Sequence, residues 1–308
     1  MRPGSAGPGR MRPMRDEIRK IQDMMEAAQY VTDAPVATAV HLATTLRKPL
    51  LVEGHAGVGK TEIAKVMARM LDTDLVRLQC YEGLDAAAAL YEWNYQKQLL
   101  HIKLSERASE DVKAQEREIF SEDFLLRRPL LDAISRPDKA PVLLVDEVDR
   151  ADEEFEAFML EIFAEWQVTI PEIGTIKAVH PPHVILTSNR TRELSDALRR
   201  RCLYIWIDYP TYEKEVRIVE RKVPGIDKRL AGDVARFMES LRRVRLAKVP
   251  GVAETLDWAQ ALAALHADHL DETVVTETLG CILKDADDMK KFRAEVGKSG
   301  LASFVPTH

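Results

Sequence analysis

Apolar and polar positions along the chain predict an α/β part followed by an all-helical part. Short apolar runs recur as far as Tyr209, and most are followed by a polar turn and then a stretch with helical spacing. Fully apolar runs of this kind are typical of strands buried on both faces of a parallel sheet. From Tyr212 onwards only helical spacing is found. We therefore expect an α/β domain over residues 16–209 and a small helical domain over residues 210–308.

The same pattern predicts the individual elements. Sheet strands are expected at residues 49–53, 75–80, 141–147, 183–189 and 203–209. Helices are expected at residues 16–28, 34–46, 62–71, 85–90, 105–117, 122–134, 153–165, 212–222, 228–246, 255–268, 272–284 and 287–296. Two segments with β-rich arms around a polar centre, near 91–103 and 168–178, predict hairpins. Residues 1–15, rich in Gly, Pro and Arg, predict a disordered basic tail.

A glycine-rich motif, GHAGVGKT, lies between the first predicted strand and the helix after it. The spacing G-x-x-x-x-G-K-[ST] in this context predicts a phosphate-binding loop. Glycines let successive backbone N–H groups converge on phosphate oxygens, and the N-terminus of the following helix favours the same anion. Lys60 adds a positive charge on the outer phosphates, and the Thr61 hydroxyl can ligate Mg²⁺. The expected nucleotide-binding residues are Gly54, His55, Ala56, Gly57, Val58, Gly59, Lys60, Thr61 and Glu62.

Two adjacent carboxylates, Asp146 and Glu147, end the apolar strand predicted at 141–147. Ligands of parallel sheets bind beyond the carboxyl ends of the strands, so both side chains are expected at the edge where the phosphate loop opens. One carboxylate suits a hydrated Mg²⁺ and the other can polarise an attacking water. An ordinary acidic helix start is the alternative interpretation, because further acidic residues follow, namely Asp149, Asp152, Glu153 and Glu154.

Two further polar features follow later strands. Asn189 ends the strand predicted at 183–189, where its amide can orient a water or a phosphate oxygen, although taken alone this residue is better explained as a plain turn residue. Arg199, Arg200 and Arg201 stand in a row on a predicted helix. Such a row is typical of a solvated face, or it offers an arginine across a subunit boundary to neutralise charge during phosphoryl transfer.

Composition narrows the function classes. The chain has 308 residues, 46% of them hydrophobic, which is enough for a sizeable core. Its 44 basic and 50 acidic residues give a net charge of −6, so it lacks the basic footprint of a non-specific nucleic-acid binder. Three widely spaced cysteines, Cys80, Cys202 and Cys281, argue against a disulfide framework or a zinc site and suit a reducing compartment such as the cytoplasm. No apolar run approaches the roughly 20 residues of a membrane span, and no hydrophobic signal segment follows the basic start.

In their order, these motifs resemble the AAA+ ATPases of the MoxR branch, and within it the CoxD-type proteins that accompany molybdenum hydroxylase systems. The resemblance covers about residues 30–264. GHAGVGKT is similar to the Walker A motif, LLVDEVDRA to Walker B, VILTSN to the sensor 1 strand and ALRRRCLYIWIDYP to the arginine-finger helix and its following strand. The hairpins near 91–103 and 168–178 correspond to the helix-2 insert and the pre-sensor 1 insert. The resemblance implies a five-stranded parallel sheet of order 5-1-4-3-2 with a C-terminal helical lid.

The resemblance also implies a role for each matched residue. Lys60, Glu147, Asn189 and Arg201 become catalytic, and Thr61 and Asp146 serve Mg²⁺ beside the bound ATP. Arg201 is preferred as the finger because it directly precedes the strand, with Arg200 as the fallback. The lid departs from the pattern, because residues 251–258 contain no arginine where many members carry sensor 2.

The implied activity is Mg²⁺-dependent ATP hydrolysis in a ring, a homo-hexamer, that remodels a client metalloenzyme or assists metal-cofactor insertion. A separately encoded partner with a von Willebrand factor A domain is implied as well. One alternative is a nucleic-acid-linked AAA+ motor or clamp-loader-like ATPase, against which the net charge of −6 argues. Another is a nucleotide-gated binding protein without hydrolysis, against which the intact Glu147 argues.

Overall fold

In a computed structural model of the chain, residues 11–105 and 117–305 are described. They form two compact units. The sheet unit contains Thr38–Glu53 and Ala64–Ile205, and the loop-and-lid unit contains the residues up to Ala37, Gly54–Ile63 and the residues from Trp206. The predicted domain boundary after Tyr209 thus lies near the division at Trp206, but the first helix and the phosphate loop group with the C-terminal helices. Most of the predicted helix at 105–117 lies outside the described residues.

Nine strands are found in the described residues: β1 (Leu50–Gly54), β2 (Leu75–Gln79), β3 (Tyr91–Trp93), β4 (Leu125–Arg127), β5 (Val142–Asp146), β6 (Gln167–Ile170), β7 (Gly174–Lys177), β8 (His183–Ser188) and β9 (Leu203–Ile207). Five of them form the central sheet in the order β2-β5-β8-β1-β9. Counted among these five strands and read from β9, the order is 5-1-4-3-2, which confirms the predicted parallel AAA+ sheet. Every residue of β1, β5 and β8 is buried, as the fully apolar runs predicted.

The helices mostly follow the predicted pattern. The sheet unit contains Ala86–Leu90, Tyr95–Ser105, Pro129–Ile134, Glu153–Glu165 and Asp196–Arg201, with most of Ala34–Leu46 and Lys60–Met70. The loop-and-lid unit contains Met11–Ala27, Tyr212–Lys222, Lys228–Leu241, Val252–Ala264, Glu272–Ile282 and Ala286–Ser299. The predicted disordered tail is wrong for residues 11–15, because the first helix begins at Met11. Pro13 is compatible with this start, since proline is tolerated in the first turn of a helix.

One of the two predicted hairpins is wrong. β3 pairs with β4, about thirty residues later, with Trp93 opposite Leu125, and the rest of the segment at 91–103 is the helix Tyr95–Ser105. The Asn94 side chain accepts a hydrogen bond from the Lys97 backbone N–H (3.0 Å) and caps that helix. The predicted helix at 122–134 is broken for the same reason, because its centre supplies β4. The second hairpin, predicted at 168–178, is confirmed by the antiparallel pair β6–β7.

Each unit has its own hydrophobic core. The core of the sheet unit is formed by residues of the central strands and of the helices Pro129–Ile134 and Glu153–Glu165. The core of the lid helices is centred on Phe237 and Trp258, whose ring centroids are 4.8 Å apart. The Trp258 indole N–H donates to the Thr278 hydroxyl (2.7 Å), so this buried polar atom is satisfied. Within the described ranges, no helix is long and apolar enough to cross a membrane.

Candidate functional site

The phosphate loop is shaped by its glycines. Gly57 and Gly59 adopt left-handed backbone conformations, with φ of +72° and +92°, which other residues rarely adopt. A Cβ atom on Gly54 would lie 2.2 Å from the Ile207 carbonyl oxygen, so only glycine fits beside this strand. The motif therefore forms the curled loop that the spacing predicted.

The side chain of Lys60 points into this curved loop. Its ammonium group donates to the carbonyl oxygens of Gly54 (2.9 Å) and His55 (2.6 Å), and the residue is only 7% exposed. Lys60 and Thr61 also begin the helix Lys60–Met70, whose N-terminal end favours an anion. A buried ammonium group and a helix N-terminus at a glycine-lined curl fit the phosphates of ATP.

The lid contacts the phosphate loop through backbone atoms. A Cβ atom on Gly251 would lie 2.7 Å from the Ala56 carbonyl oxygen and 2.8 Å from the Gly57 carbonyl carbon. The Ala253 N–H donates to the Gly57 carbonyl oxygen (3.1 Å). The Glu254 carboxylate accepts from the Gly251 N–H (2.8 Å) and caps the lid helix. Where many relatives of the predicted family carry an arginine, this chain presents a carboxylate and a glycine contact.

Aromatic side chains support the loop next to His55. The imidazole ring stacks on Tyr209, with centroids 4.6 Å apart and planes 9° from parallel, and meets the edge of Trp206 at 5.4 Å. The Arg242 guanidinium group lies 4.9 Å from the centroid of the Tyr209 ring. Burial raises the pKa of the Tyr209 phenol, although Arg242 acts in the opposite direction. The sequence placed His55 in the loop but gave no sign of this stack.

Asp146 is held by two residues that sequence reasoning missed. Its Oδ2 atom accepts from Arg77 Nη2 (2.6 Å) and Nε (3.1 Å), and its Oδ1 atom accepts from the Thr187 hydroxyl (2.5 Å). The carboxylate is 2% exposed. Because both oxygens have protein partners, Asp146 fits a role in the water shell of Mg²⁺, which tends to keep several of its waters. A polar Arg77 on β2, the strand paired with β5, was the one available signal.

Glu147 lies next to Asp146 in a strained conformation. Its φ of +55° is unusual for a residue with a side chain, and its N–H donates to the Thr187 hydroxyl (2.9 Å). The Gln79 amide donates to Oε2 (3.2 Å), and the Asn189 amide donates to Oε1 (3.4 Å). Arg150 Nε is 3.5 Å from Oε2. This carboxylate is oriented by amide groups and remains 35% exposed, as a group that activates water requires.

Asp149 fixes the backbone that carries Asn189. Its carboxylate accepts from the Asn189 N–H (3.2 Å), the Thr191 N–H (2.8 Å) and the Thr191 hydroxyl (2.7 Å). Asp149 is 2% exposed, so this is a buried carboxylate with several donors. The structure therefore brings Asp146, Glu147 and Asn189 together in the sheet unit, and the acidic residue at 149 has a structural task.

The three arginines differ in their surroundings. Arg199 is half-buried, with Nη2 3.5 Å from a carboxylate oxygen of Glu53. Arg200 and Arg201 are exposed at the end of the helix Asp196–Arg201. The choice of Arg201 as the finger stays a prediction.

The remaining candidate groups do not add a second reactive centre. Burial raises the pKa of the Cys80 thiol to about 12, so it stays protonated and is a poor nucleophile. The described part of the chain contains no group of three or more His, Cys, Asp or Glu side chains arranged to hold a metal ion. The expected Mg²⁺ needs fewer protein ligands, since it also binds water and substrate phosphates.

Comparison with known proteins shows which protein family the chain matches. Residues 49–202, half of the chain, match the sequence model of the AAA domain (dynein-related subfamily). The chain is 27% identical over 266 residues to the gas vesicle ATPase GvpN of Haloferax mediterranei, covering 81% of this chain and 72% of that protein. It is 24% identical over 217 residues to an uncharacterised Staphylococcus aureus protein, covering 68% and 74%. Among solved structures, the Thermotoga maritima RuvB Holliday junction branch migration motor gives a TM-score of 0.47 at 16% identity, covering 87% of this chain and 74% of that one.

Proposed function

The chain belongs to the AAA domain family, dynein-related subfamily, and from this premise we propose that it is a ring-forming ATPase of the MoxR branch that remodels a client protein. It is an AAA+ ATPase that uses ATP and Mg²⁺. The observation that carries the proposal is the Glu147 carboxylate, held beside Asp146 by the amides of Gln79 and Asn189. A carboxylate oriented by two side-chain amides supports hydrolysis over nucleotide binding alone, because a group that accepts a proton from water must be held in position.

Each predicted residue has a task in this proposal. The loop from Gly54 to Thr61 would hold the ATP phosphates, with the Lys60 charge on the outer ones. Thr61 and Asp146 would hold the hydrated Mg²⁺, which neutralises phosphate charge when bound. Glu147 accepts a proton from the attacking water, and its two amide contacts keep the carboxylate oriented for that transfer.

A ring is proposed because of the exposed arginines. Arg200 and Arg201 end a short helix and are exposed to solvent, whereas Arg199 is directed towards Glu53. An exposed cation at the end of a helix is suited to reach a nucleotide held by a neighbouring subunit. We take Arg201 as the finger and Arg200 as its alternative, in a homo-hexamer acting in the cytoplasm.

The client and partner are the finer part of the proposal. The motif set resembles the CoxD-type proteins, so we propose a client metalloenzyme of the molybdenum hydroxylase type and a partner with a von Willebrand factor A domain. The net charge of −6 supports a protein client over nucleic acid. Genes next to this one that encode such a hydroxylase and such a partner would support this assignment.

The test of the ring compares ATPase rate per subunit across protein concentrations for the wild type, Lys60→Ala and Arg201→Ala. We expect both variants to lose at least about a thousandfold in kcat, by loss of phosphate and transition-state contacts. Mixing Arg201→Ala with Glu147→Gln should restore activity, since some sites then combine an intact glutamate with an intact finger. Arg229→Ala, another exposed arginine, is the matched control and should keep the wild-type rate. Equal rates in all variants would exclude the proposal.

The test of the client uses Glu147→Gln, which should bind ATP without turnover. With ATP and Mg²⁺, this variant should retain a purified partner that contains a von Willebrand factor A domain, and it should release the partner without nucleotide. Adding double-stranded DNA should leave the wild-type ATPase rate unchanged. A strong stimulation by DNA that weakens steeply with salt would favour the nucleic-acid motor instead.

A further inference from the structure

A buried carboxylate, Glu53, lies at the end of β1 and has no part in the chemistry described above. It is 1% exposed and immediately precedes the phosphate loop. The Tyr204 hydroxyl donates to its Oε2 atom (3.1 Å), and Arg190 Nε lies 3.7 Å from the same oxygen. Arg199 Nη2 lies 3.5 Å from the other oxygen, Oε1. A buried charge with such neighbours needs an explanation, because it is costly unless compensated.

The groups around Glu53 come from three parts of the sheet unit that matter for hydrolysis. Arg190 follows Asn189 and has a left-handed φ of +57°. Arg199 lies on the helix that ends with the two exposed arginines. Tyr204 lies on β9, the edge strand next to β1. Glu53 therefore contacts residues of the segment after Asn189, of the helix Asp196–Arg201 (the arginine helix) and of the edge strand.

The pairing of β1 with β8 brings residues 188–190, here called the Asn189 segment, next to Glu53. Glu53 is paired with Ser188 between β1 and β8, and the Ser188 hydroxyl accepts from the Arg190 N–H (3.0 Å). A shift of Asn189 towards or away from a nucleotide would therefore move Arg190 relative to Glu53.

The contacts that the two arginines make with Glu53 are long. Distances of 3.5 and 3.7 Å are ion-pair contacts but are too long for strong hydrogen bonds. Arg199 Nε is buried without a hydrogen-bond partner among the described residues. Both arginines thus share one carboxylate by electrostatic attraction, and a change in the position of one alters the attraction felt by the other.

We propose that Glu53 is a positioning residue that couples the Asn189 segment to the arginine helix of the same subunit, and that Arg199 is its positioning partner. The proposal rests on the proposed function, in which the exposed arginine of this helix serves a neighbouring site. Loss of the Glu53 charge leaves the helix without its electrostatic anchor. The defect should then appear at the neighbour's active site, while ATP binding in the same subunit is retained.

The experiment uses Glu53→Gln, an amide of the same shape that still accepts from Tyr204 but has no charge. We expect a roughly tenfold to hundredfold lower kcat with an unchanged KM for ATP, because a displaced catalytic group costs rate. Mixing Glu53→Gln with Glu147→Gln should restore activity, since the second variant supplies a well-placed finger to sites with an intact Glu147. Arg199→Ala should behave in the same way, and the double variant should be no worse than either single one. Glu161→Gln, an exposed glutamate, is the matched control and should keep the wild-type rate.

The outcomes separate this proposal from the one it rests on. If Arg201→Ala and Arg200→Ala both fail to complement Glu147→Gln, the finger acting between subunits is wrong. If either complements and Glu53→Gln does not, Glu53 acts within its own site and the coupling is overturned. A wild-type kcat for Glu53→Gln, or a raised KM with the same kcat, also overturns it. Should Glu53→Gln not fold, Arg199→Ala alone decides by the same mixing result.

Discussion

Glu215 in the loop-and-lid unit and Glu53 in the sheet unit are both buried beside arginines, but their contacts differ. In the loop-and-lid unit, Glu215 receives both ends of the Arg242 guanidinium group, at 2.6 and 2.7 Å, and also the Thr255 hydroxyl at 2.6 Å. The side chain of Glu215 is only 1% exposed and that of Arg242 only 8%. In the sheet unit, Glu53 has two arginines at 3.5 and 3.7 Å that are 36% and 49% exposed.

The difference indicates which site is rigid. Arg242 also donates to the Pro250 carbonyl oxygen (3.0 Å) and to Thr255, so nearly every donor in that network is satisfied. Fully satisfied buried networks hold one arrangement. The network includes Pro250, directly before Gly251, and Thr255, whose hydroxyl donates to the Gly251 carbonyl oxygen (3.0 Å), so it supports the contact of Gly251 with the phosphate loop. The Glu53 carboxylate instead has longer ion-pair contacts, to two arginines that are partly exposed, which suits a coupling element.

The largest effect is expected when the rigid site is broken. Arg242→Ala leaves the Glu215 charge buried and unpaired, which should lower the free energy of unfolding by about 3–5 kcal/mol. Urea unfolding followed by Trp fluorescence measures it. The neighbouring Arg243 is 75% exposed and pairs with Glu239 one turn away, so Arg243→Ala should cost less than about 0.5 kcal/mol. The apolar double variant Arg242→Met with Glu215→Leu should recover most of the loss; if it stays as unstable as Arg242→Ala, the unpaired charge is not the cause.

A smaller effect is expected at the contact that this network supports. Gly251→Ala places a Cβ atom against backbone of the phosphate loop, and the overpacking should cost up to about 3 kcal/mol. The KM for ATP should also rise, because the loop must shift. A Cβ atom on Gly280 meets nothing within 4 Å in its helix, so Gly280→Ala should be neutral or stabilising by up to about 1 kcal/mol. Equal effects of the two substitutions would show that the contact with the loop is unimportant.

The sheet unit also contains a buried histidine, His183, next to the guanidinium group of Arg47. Burial and the nearby Arg47 lower the pKa of His183 from 6.5 to about 4. Between these values the unfolded chain binds more protons than the folded one, so stability is unaffected above about pH 6.5 and falls as the pH is lowered towards 4. Lowering the pH from 7 to 5 should reduce the free energy of unfolding by about 2 kcal/mol through protonation of His183 in the unfolded chain. Urea unfolding of His183→Gln should show a pH dependence weaker by that amount, and an identical dependence would contradict the assignment.

The smallest effect on stability is expected at the loose site. Glu53→Gln removes the buried partner and leaves two arginines that are already partly hydrated, so the free energy of unfolding should change by less than about 1 kcal/mol. The same variant should show the loss in kcat described above. A loss of stability as large as that of Arg242→Ala would mean that the two sites are alike and that Glu53 is structural.

Local signals were enough for much of the fold and part of the site. The apolar runs predicted the buried strands β1, β5 and β8, because strands covered on both faces consist mostly of apolar residues. The hairpin at 168–178 was predicted because β6 and β7 are close in sequence and flank a short turn. The wrong hairpin shows the limit: the partner of β3 lies about thirty residues away, and no local pattern in residues 91–103 indicates it.

By itself, the sequence determined the glycine-rich loop, the paired carboxylates after β5 and the polar tip after β8, because each depends on residue types at short, fixed spacing. Only the tertiary structure decided which side chains hold Asp146 and Glu147, since Arg77, Gln79 and Thr187 approach from other strands. The same applies to the glycine contact of the lid and to the charges around Glu53. These contacts join residues far apart in the chain, and their geometry is set by strand order and packing, which the spacing of residues along the chain does not contain.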